Sequence, residues 1–388
     1  MNSRQIPAFL YGLALASMAW SHAAHSALTA LALISLVVVA PQDFARRAPQ
    51  YYKLLLAFSA FMALAYFTAA DKESAYNDIK GLWPLAHLFI AAVAISPSSI
   101  GVFVHTFLYV SAGAALYSVL QYFAFLPESD LVDQGGRYTA TSHVWAFCVC
   151  MTTLVAVSFD AVLRRSGHQK IIATTICIFA LFSLWISQER ANFLLAVLCM
   201  ALIPLLHQSC TKRMKCMLIA AIPVLFIVAL GFADTRLATL LDIFSDPELA
   251  INSIRILHWQ VALEAFQSAP WFGHGLGSYP QLVADNIEYR DSLLPFVEKG
   301  HIWCHNMPLQ LLATTGIFGT SIAAFVAYKI TMPLVRAIKT HNEAAIFGLC
   351  ACLIHFGTSA TDTPSLQSVR LAAFTILVGA AYGAKQPD

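Results

Sequence analysis

The chain has 388 residues, of which 59% are hydrophobic and only 11% are charged, and its formal net charge is +2. Soluble domains carry about 25% charged residues, so this composition excludes a mostly water-exposed chain and indicates that lipid surrounds most of it. The basic residues are scattered over short loops, which also excludes a nucleic-acid-binding surface.

Apolar runs long enough to cross a hydrocarbon layer of about 30 Å recur along the chain. Because backbone polar groups find no water inside lipid, each run must form a helix. The sequence therefore predicts an all-α polytopic integral membrane protein with about twelve transmembrane helices. The predicted spans are 6–21, 25–41, 51–69, 82–97, 100–126, 140–162, 171–188, 191–207, 217–233, 307–332, 344–360 and 371–384.

The charges of the loops predict the orientation. Of the 23 lysines and arginines, 14 fall in the termini and in alternate loops on one side, whereas 17 of the 21 acidic residues fall on the other side. Loops rich in lysine and arginine stay in the cytoplasm. An even number of spans then places both termini in the cytoplasm.

One connection is far longer than the others and divides the chain into three parts. Residues 1–233 hold transmembrane helices 1–9, residues 234–306 form a large outer loop, and residues 307–388 hold helices 10–12. A structureless loop of this size is uncommon unless it is functional. Because its stretch Ile254–Phe266 has helical periodicity, we expect a small, mostly helical cap on the outer membrane surface.

The cap contains Gly273, Gly275 and Gly277. A phosphate-binding loop is not favoured, because no parallel strand precedes these glycines and no Gly-Lys-Ser/Thr follows them. We expect a turn that lets the backbone approach a neighbouring helix.

Two arginines are candidates for binding an anion. Arg190 lies between two apolar runs with almost no loop, and a charge held at a membrane boundary usually faces a cavity or a ligand, although it could also be a snorkelling turn residue paired with Glu189. Arg255 precedes Trp259 by one helical turn in the cap. On position alone, Arg255 could equally belong to a solvated helix face.

Two histidines precede the tenth span. His301 and His305 are four residues apart, so on a helix they share a face, and histidine suits proton transfer near neutral pH. Cys304 between them raises the question of zinc, but adjacent ligands without a distant fourth make a poor tetrahedral site, so we expect no metal. Without further context, both histidines could simply be interfacial residues.

Two more charged residues are weaker candidates. Arg137 lies in an outer loop near Asp130 and Asp133, and local ion pairing explains it equally well. Asp362 lies in the last outer loop, where it could orient a histidine or cap the final helix.

The segment 305–319 resembles a motif of the O-antigen ligase and O-antigen polymerase superfamily. It contains His305-Asn306, Leu309-Gln310, Gly316 and Gly319 in the family's spacing. The cap resembles the same family through Arg255, Trp259, Pro270 and the glycine triplet, and the turn resembles it through Ser187-Gln188-Glu189-Arg190. In order along the chain, the likeness covers residues 130–330.

The resemblance implies a metal-independent, cofactor-free glycosyltransferase in a Gram-negative inner membrane, with its large loop in the periplasm. Its expected donor is a glycan on undecaprenyl diphosphate, and its expected acceptor is a sugar hydroxyl of lipid A–core. The resemblance gives catalytic roles to His305, as general base, and to Arg190 and Arg255, which would neutralise the departing diphosphate. Lower-ranked substrate-binding candidates are Arg137, His301, Asn306, Gln310 and Asp362.

Three alternatives stay open at this stage. His301, one turn before His305, could be the base instead, although His305 carries the Asn and Leu-Gln pattern. A polymerase of the same superfamily is the nearest alternative function, and the single large outer loop favours the ligase. A lipid-linked glycan transporter is less favoured, because charged mid-span residues and matched broken helices are not evident.

Overall fold

The computed structural model describes residues 5–39, 71–126, 138–207, 210–218, 254–286, 303–339, 344–360 and 368–384, together with scattered residues between them. All regular structure within these ranges is helical, as predicted. The predicted spans 51–69 and 217–233 fall largely outside the described residues, and so do His301, Arg137 and Asp362.

Thirteen α-helices occur in the described part of the chain. They are α1 Ile6–Ser17, α2 His22–Val39, α3 Lys72–Gly81, α4 Ala86–Ala94, α5 Ile100–Tyr122, α6 Val144–Arg164, α7 Gly167–Ile186, α8 Arg190–Leu206, α9 Ile254–Ser268, α10 Tyr279–Asp285, α11 Met307–Lys339, α12 Ala344–Ser359 and α13 Ser368–Gly383.

Four of these helices, α5, α6, α7 and most of α11, are long and apolar enough to cross a membrane. Five shorter apolar helices, α1, α2, α8, α12 and α13, also coincide with predicted spans. The predicted span 82–97 is shorter than expected: a 3₁₀ turn, Trp83–Leu85, which contains Pro84, precedes the nine-residue helix α4. The described residues thus confirm an apolar helical protein, while the count of twelve spans stays a prediction.

Helix α6 is the centre of the bundle. It is buried along almost its whole length and packs against α5, α7, α8, α12 and α13. A helix that is apolar all round must be surrounded by other helices or by lipid. Helices α5, α7, α8, α12 and α13 therefore surround α6.

A smaller unit packs on the start of α11. We define the cap segment as residues 254–286, which comprise α9, the glycine turn and α10. Helix α9 lies against α11 and α10, around a small core that includes Val261, Tyr279 and Ala313. The described part of the predicted loop is therefore helical, while its place on the outer membrane surface stays a prediction.

Candidate active site

Helix α11 is broken near its beginning, at Gly316, where φ is 61° and ψ is −165°. The break removes intrahelical partners from the peptide groups on either side. The cap segment replaces them: the amides of His274 and Gly275 donate to the carbonyls of Ala313 and Thr314, at 3.1 and 2.7 Å.

The pairing continues on the other side of the break. The amides of Ile317 and Phe318 donate to the carbonyls of Pro270 and Trp271, at 2.8 and 3.2 Å. A Cβ atom at Gly273 would overlap the backbone of Thr314, and a Cβ atom at Gly316 would overlap that of Trp271. The glycines thus allow the close backbone approach that the sequence predicted, and they fix the cap segment to α11.

The residues after His305 hold the start of α11. The side-chain oxygen of Asn306 accepts from the amide of Leu309 at 3.1 Å, which is an N-cap contact. The side-chain oxygen of Gln310 accepts from the amide of Cys304 at 2.7 Å. These two contacts fix the chain on both sides of His305, whose own backbone is left-handed with φ 51°.

A second histidine, His258, lies beside His305. Their ring centroids are 5.9 Å apart, in an edge-on arrangement. His258 is on α9, three residues after Arg255, so both side chains lie on one face of that helix. Arg255 itself is exposed.

Cys304 is buried below these rings. Its thiol donates to the carbonyl of His258 across 3.7 Å, and burial raises the pKa of the thiol to about 12. No three metal-binding side chains come together within the described ranges.

Arg190 begins α8, after the tight turn Ser187-Gln188-Glu189 that joins α8 to α7. Gln188 has a positive φ of 55° in this turn. Helix α8 contacts α12, with Leu195 against Gly357 and Cys199 beside Cys350. The two helices therefore run antiparallel, and the beginning of α8 lies near the end of α12, which is Ser359.

The same end of α12 reaches the His305 segment. The side-chain amide of Asn306 donates to the carbonyl of Ala360 at 3.2 Å. Arg190 and His305 therefore border one end of the bundle, which we call the site end. The structure places His305, Asn306 and Gln310 beside the start of α11 at this end, and Arg190 at the start of α8. Arg255 lies on α9, one helical turn before His258, whose ring lies beside that of His305.

Sequence reasoning missed two buried side chains at the site end. His258 carried no signal, because a lone histidine among apolar residues resembles a core position. Arg370 lies near the start of α13, is 4% exposed, and its guanidinium carbon lies 5.2 Å from the ring centroid of Trp145.

Arg370 lines a small cavity together with Thr153, His355 and Thr358. The sequence could have singled out Arg370, because an arginine at the edge of an apolar run usually has a function.

Residues 175–324 match the family model that describes the O-antigen ligase family. The match runs from α7 into α11 and includes Arg190, Arg255 and His305 together with the whole cap segment. It confirms the resemblance that segment 305–319 indicates. No curated protein matches the chain.

Proposed function

We propose, for a chain that belongs to the O-antigen ligase superfamily, that it transfers a glycan en bloc from undecaprenyl diphosphate to a sugar hydroxyl of lipid A–core. The superfamily contains ligases and polymerases, and both act on lipid-linked glycans. The proposed setting is the inner membrane of a Gram-negative cell, with the cap segment and the site end facing the periplasm.

The proposed reaction is a direct displacement at the anomeric carbon of the first donor sugar. A ring nitrogen of His305 takes the proton of the acceptor hydroxyl as its oxygen forms the new bond to that carbon. The bond from the same carbon to the diphosphate oxygen breaks, and undecaprenyl diphosphate leaves with the electron pair. Attack opposite to the leaving group inverts the anomeric configuration.

Negative charge grows on the diphosphate as it leaves. Arg190 and Arg255 are the proposed partners of that charge, because the planar guanidinium fork matches phosphate oxygens in two-point contacts. Such fixed cations act most strongly where charge develops in the transition state. Arg137 remains a reserve candidate for the same role, and His301 and Asp362 remain proposed substrate contacts.

The observation that carries the proposal is the anchored position of His305. Asn306 and Gln310 hold the backbone on both sides of it, and Arg255 lies on α9 one helical turn before His258, whose ring lies beside that of His305. A histidine base and arginines on neighbouring helices of an apolar bundle suit glycosyl transfer from a lipid diphosphate. Asn306 and Gln310 therefore support the site through the backbone, and direct contact of either with the glycan is a separate proposal.

Deletion of the gene in its host, followed by gel analysis of lipopolysaccharide, tests the function. Loss of a ligase leaves lipid A–core without O-antigen, while lipid-linked polymer accumulates. Loss of a polymerase leaves core that carries a single repeat unit, and loss of a glycan transporter leaves the donor on the cytoplasmic side. Lipopolysaccharide unchanged by the deletion would contradict the assignment.

Complementation with His305→Ala tests the base. We expect this variant to reach the membrane at the wild-type level. Lipid A–core should remain without O-antigen, because the acceptor hydroxyl keeps its proton. Full restoration of O-antigen by His305→Ala would remove the role from His305.

A further inference from the structure

His258 is almost completely enclosed among the described residues, at 1% exposure. Helix α9 packs against α10 and against the start of α11. The titratable groups that face His258 from these elements are Tyr279 on α10 and Cys304 and His305 before α11.

Tyr279 fixes the tautomer of His258. The hydroxyl of Tyr279 donates its one proton to the carbonyl of His258 at 2.7 Å. The same hydroxyl oxygen lies 3.1 Å from Nδ1 of His258 and has no second proton to give. With the hydroxyl proton on that carbonyl, Nδ1 carries the ring proton and donates to Tyr279, which leaves a lone pair on Nε2.

That lone pair is buried. Nε2 of His258 has no hydrogen-bond partner among the described residues. A buried acceptor without a partner is unfavourable and needs an explanation. The neighbouring polar ring is that of His305, with its centroid 5.9 Å away.

We infer that His258 is a positioning residue for His305: Tyr279 holds the ring of His258 so that Nε2, which makes no hydrogen bond within the described part of the chain, faces the His305 ring and accepts an N–H from it when that ring turns towards it. This inference rests on the proposed function of His305 as the base. The contact orients the His305 ring and stabilises the imidazolium that forms when the acceptor hydroxyl loses its proton. An orienting partner behind a histidine base is a general feature of such sites.

His258 is itself unsuited to be the base. Burial, with a further contribution from His305, lowers the pKa of His258 to about 4. The ring is therefore neutral at the pH at which the envelope works, so it can accept a hydrogen bond from His305 without placing a second positive charge beside it.

The test measures the rate at which diethyl pyrocarbonate modifies His305 in the purified full-length protein at pH 7, read by peptide mass spectrometry. His258→Asn keeps a donor towards Tyr279 but has no atom where Nε2 lies. His258→Gln can place its amide oxygen at the Nε2 position. We expect His305 to react about fivefold more slowly in His258→Asn, because one supporting hydrogen bond is lost, and His258→Gln to recover most of the rate.

His274 is the internal control. It belongs to the same cap segment, and its Nε2 lies 2.8 Å from the hydroxyl of Ser268, away from His258. An unchanged rate at His274 shows that the cap segment stays folded in each variant. In complemented cells, His258→Asn should lower the rate of O-antigen transfer and leave the apparent KM for the lipid-linked donor unchanged.

Equal rates at His305 in the wild type and in His258→Asn would overturn the inference, and so would equal slowing by Asn and Gln. This readout needs no substrate, so it is independent of the proposed function. Transfer that survives His305→Ala would refute the base assignment, even if His258 controls the reactivity of His305.

Discussion

At the scale of single residues, the site depends on a backbone conformation that non-glycine residues rarely adopt. His305 has φ 51°, and such a conformation costs on the order of 1–3 kcal/mol unless its surroundings impose it. The contacts of Asn306 and Gln310 on either side supply that constraint. The His-Asn-x-x-Leu-Gln pattern is thus explained by backbone anchoring of one histidine.

Arg190 provides a prediction at the same scale. Arg190→Lys keeps the charge but loses the two-point fork, so we expect the transfer rate to fall about a hundredfold, in line with the loss of one fixed donor at a developing charge. The measurement is the rate of donor consumption by membranes that contain equal amounts of each variant.

Arg165→Lys is the matched control. Arg165 is exposed beyond the end of α6 that lies opposite the site end, and its guanidinium donates to Gln169 at 2.8 Å. Its replacement should leave the rate unchanged. Wild-type turnover by Arg190→Lys would show that Arg190 serves only to anchor the turn.

At the scale of elements, the break in α11 and the glycine turn are paired by four backbone hydrogen bonds, which hold the cap segment on α11. Gly273→Ala places a Cβ atom into the backbone of Thr314 at a positive φ of 66°, so the four backbone hydrogen bonds across the break cannot all persist. We expect separation of the cap segment from α11, loss of transfer, and faster hydrogen exchange in α9 and α10.

Gly101→Ala is the control for this substitution. Gly101 lies in α5 and a Cβ atom there meets nothing within 4 Å. Alanine also favours a helix over glycine by about 1 kcal/mol, so this variant should be neutral or slightly more stable. An unchanged rate of hydrogen exchange in α9 and α10 of Gly273→Ala would contradict the claim that these backbone hydrogen bonds hold the cap segment on α11.

The polar helix α3 contributes a pH-dependent element. Its residue Ser74 lies against Gly277, and the carboxyl of Asp78 accepts from the amide of Gly277. Burial raises the pKa of Asp78 to about 6, against the opposing effect of that hydrogen bond. Since the folded pKa lies above the unfolded value, the contact of α3 with the cap segment loses stability as pH rises from about 4 to about 6.

Asp78→Asn keeps an acceptor for Gly277 and removes the buried charge. We expect it to stabilise the protein by about 1–3 kcal/mol at pH 7.5 and to have little effect at pH 4. Thermal unfolding in detergent at the two pH values measures the difference. An equal effect at both pH values would contradict a buried ionised carboxylate at neutral pH.

At the scale of the whole molecule, hydropathy predicted most helices, because a backbone in lipid has no alternative to helical hydrogen bonding. It could not predict the break at Gly316, which depends on carbonyls and amides that a distant segment supplies. The pattern of segment 305–319 pointed to His305, whose role stays a prediction. His258 was missed because only the packing of α9 on α11 brings it beside His305.

The start of the last helix shows a second limit of hydropathy. The predicted span begins at residue 371, whereas α13 begins at Ser368 and includes Arg370. Average hydropathy falls at a charge, so the predicted boundary excluded the arginine. The guanidinium of Arg370 lies over the ring of Trp145, which offsets part of the free-energy cost of burying its charge.

The most direct test of the central claim is transfer by the purified protein in a lipid bilayer, with EDTA present, from a host undecaprenyl-diphosphate glycan to lipid A–core. We expect the wild type to form a glycosidic bond of inverted anomeric configuration, read by NMR, and His305→Ala to form none. A product of retained configuration, transfer that EDTA abolishes, or equal transfer by His305→Ala would contradict direct displacement with His305 as the base.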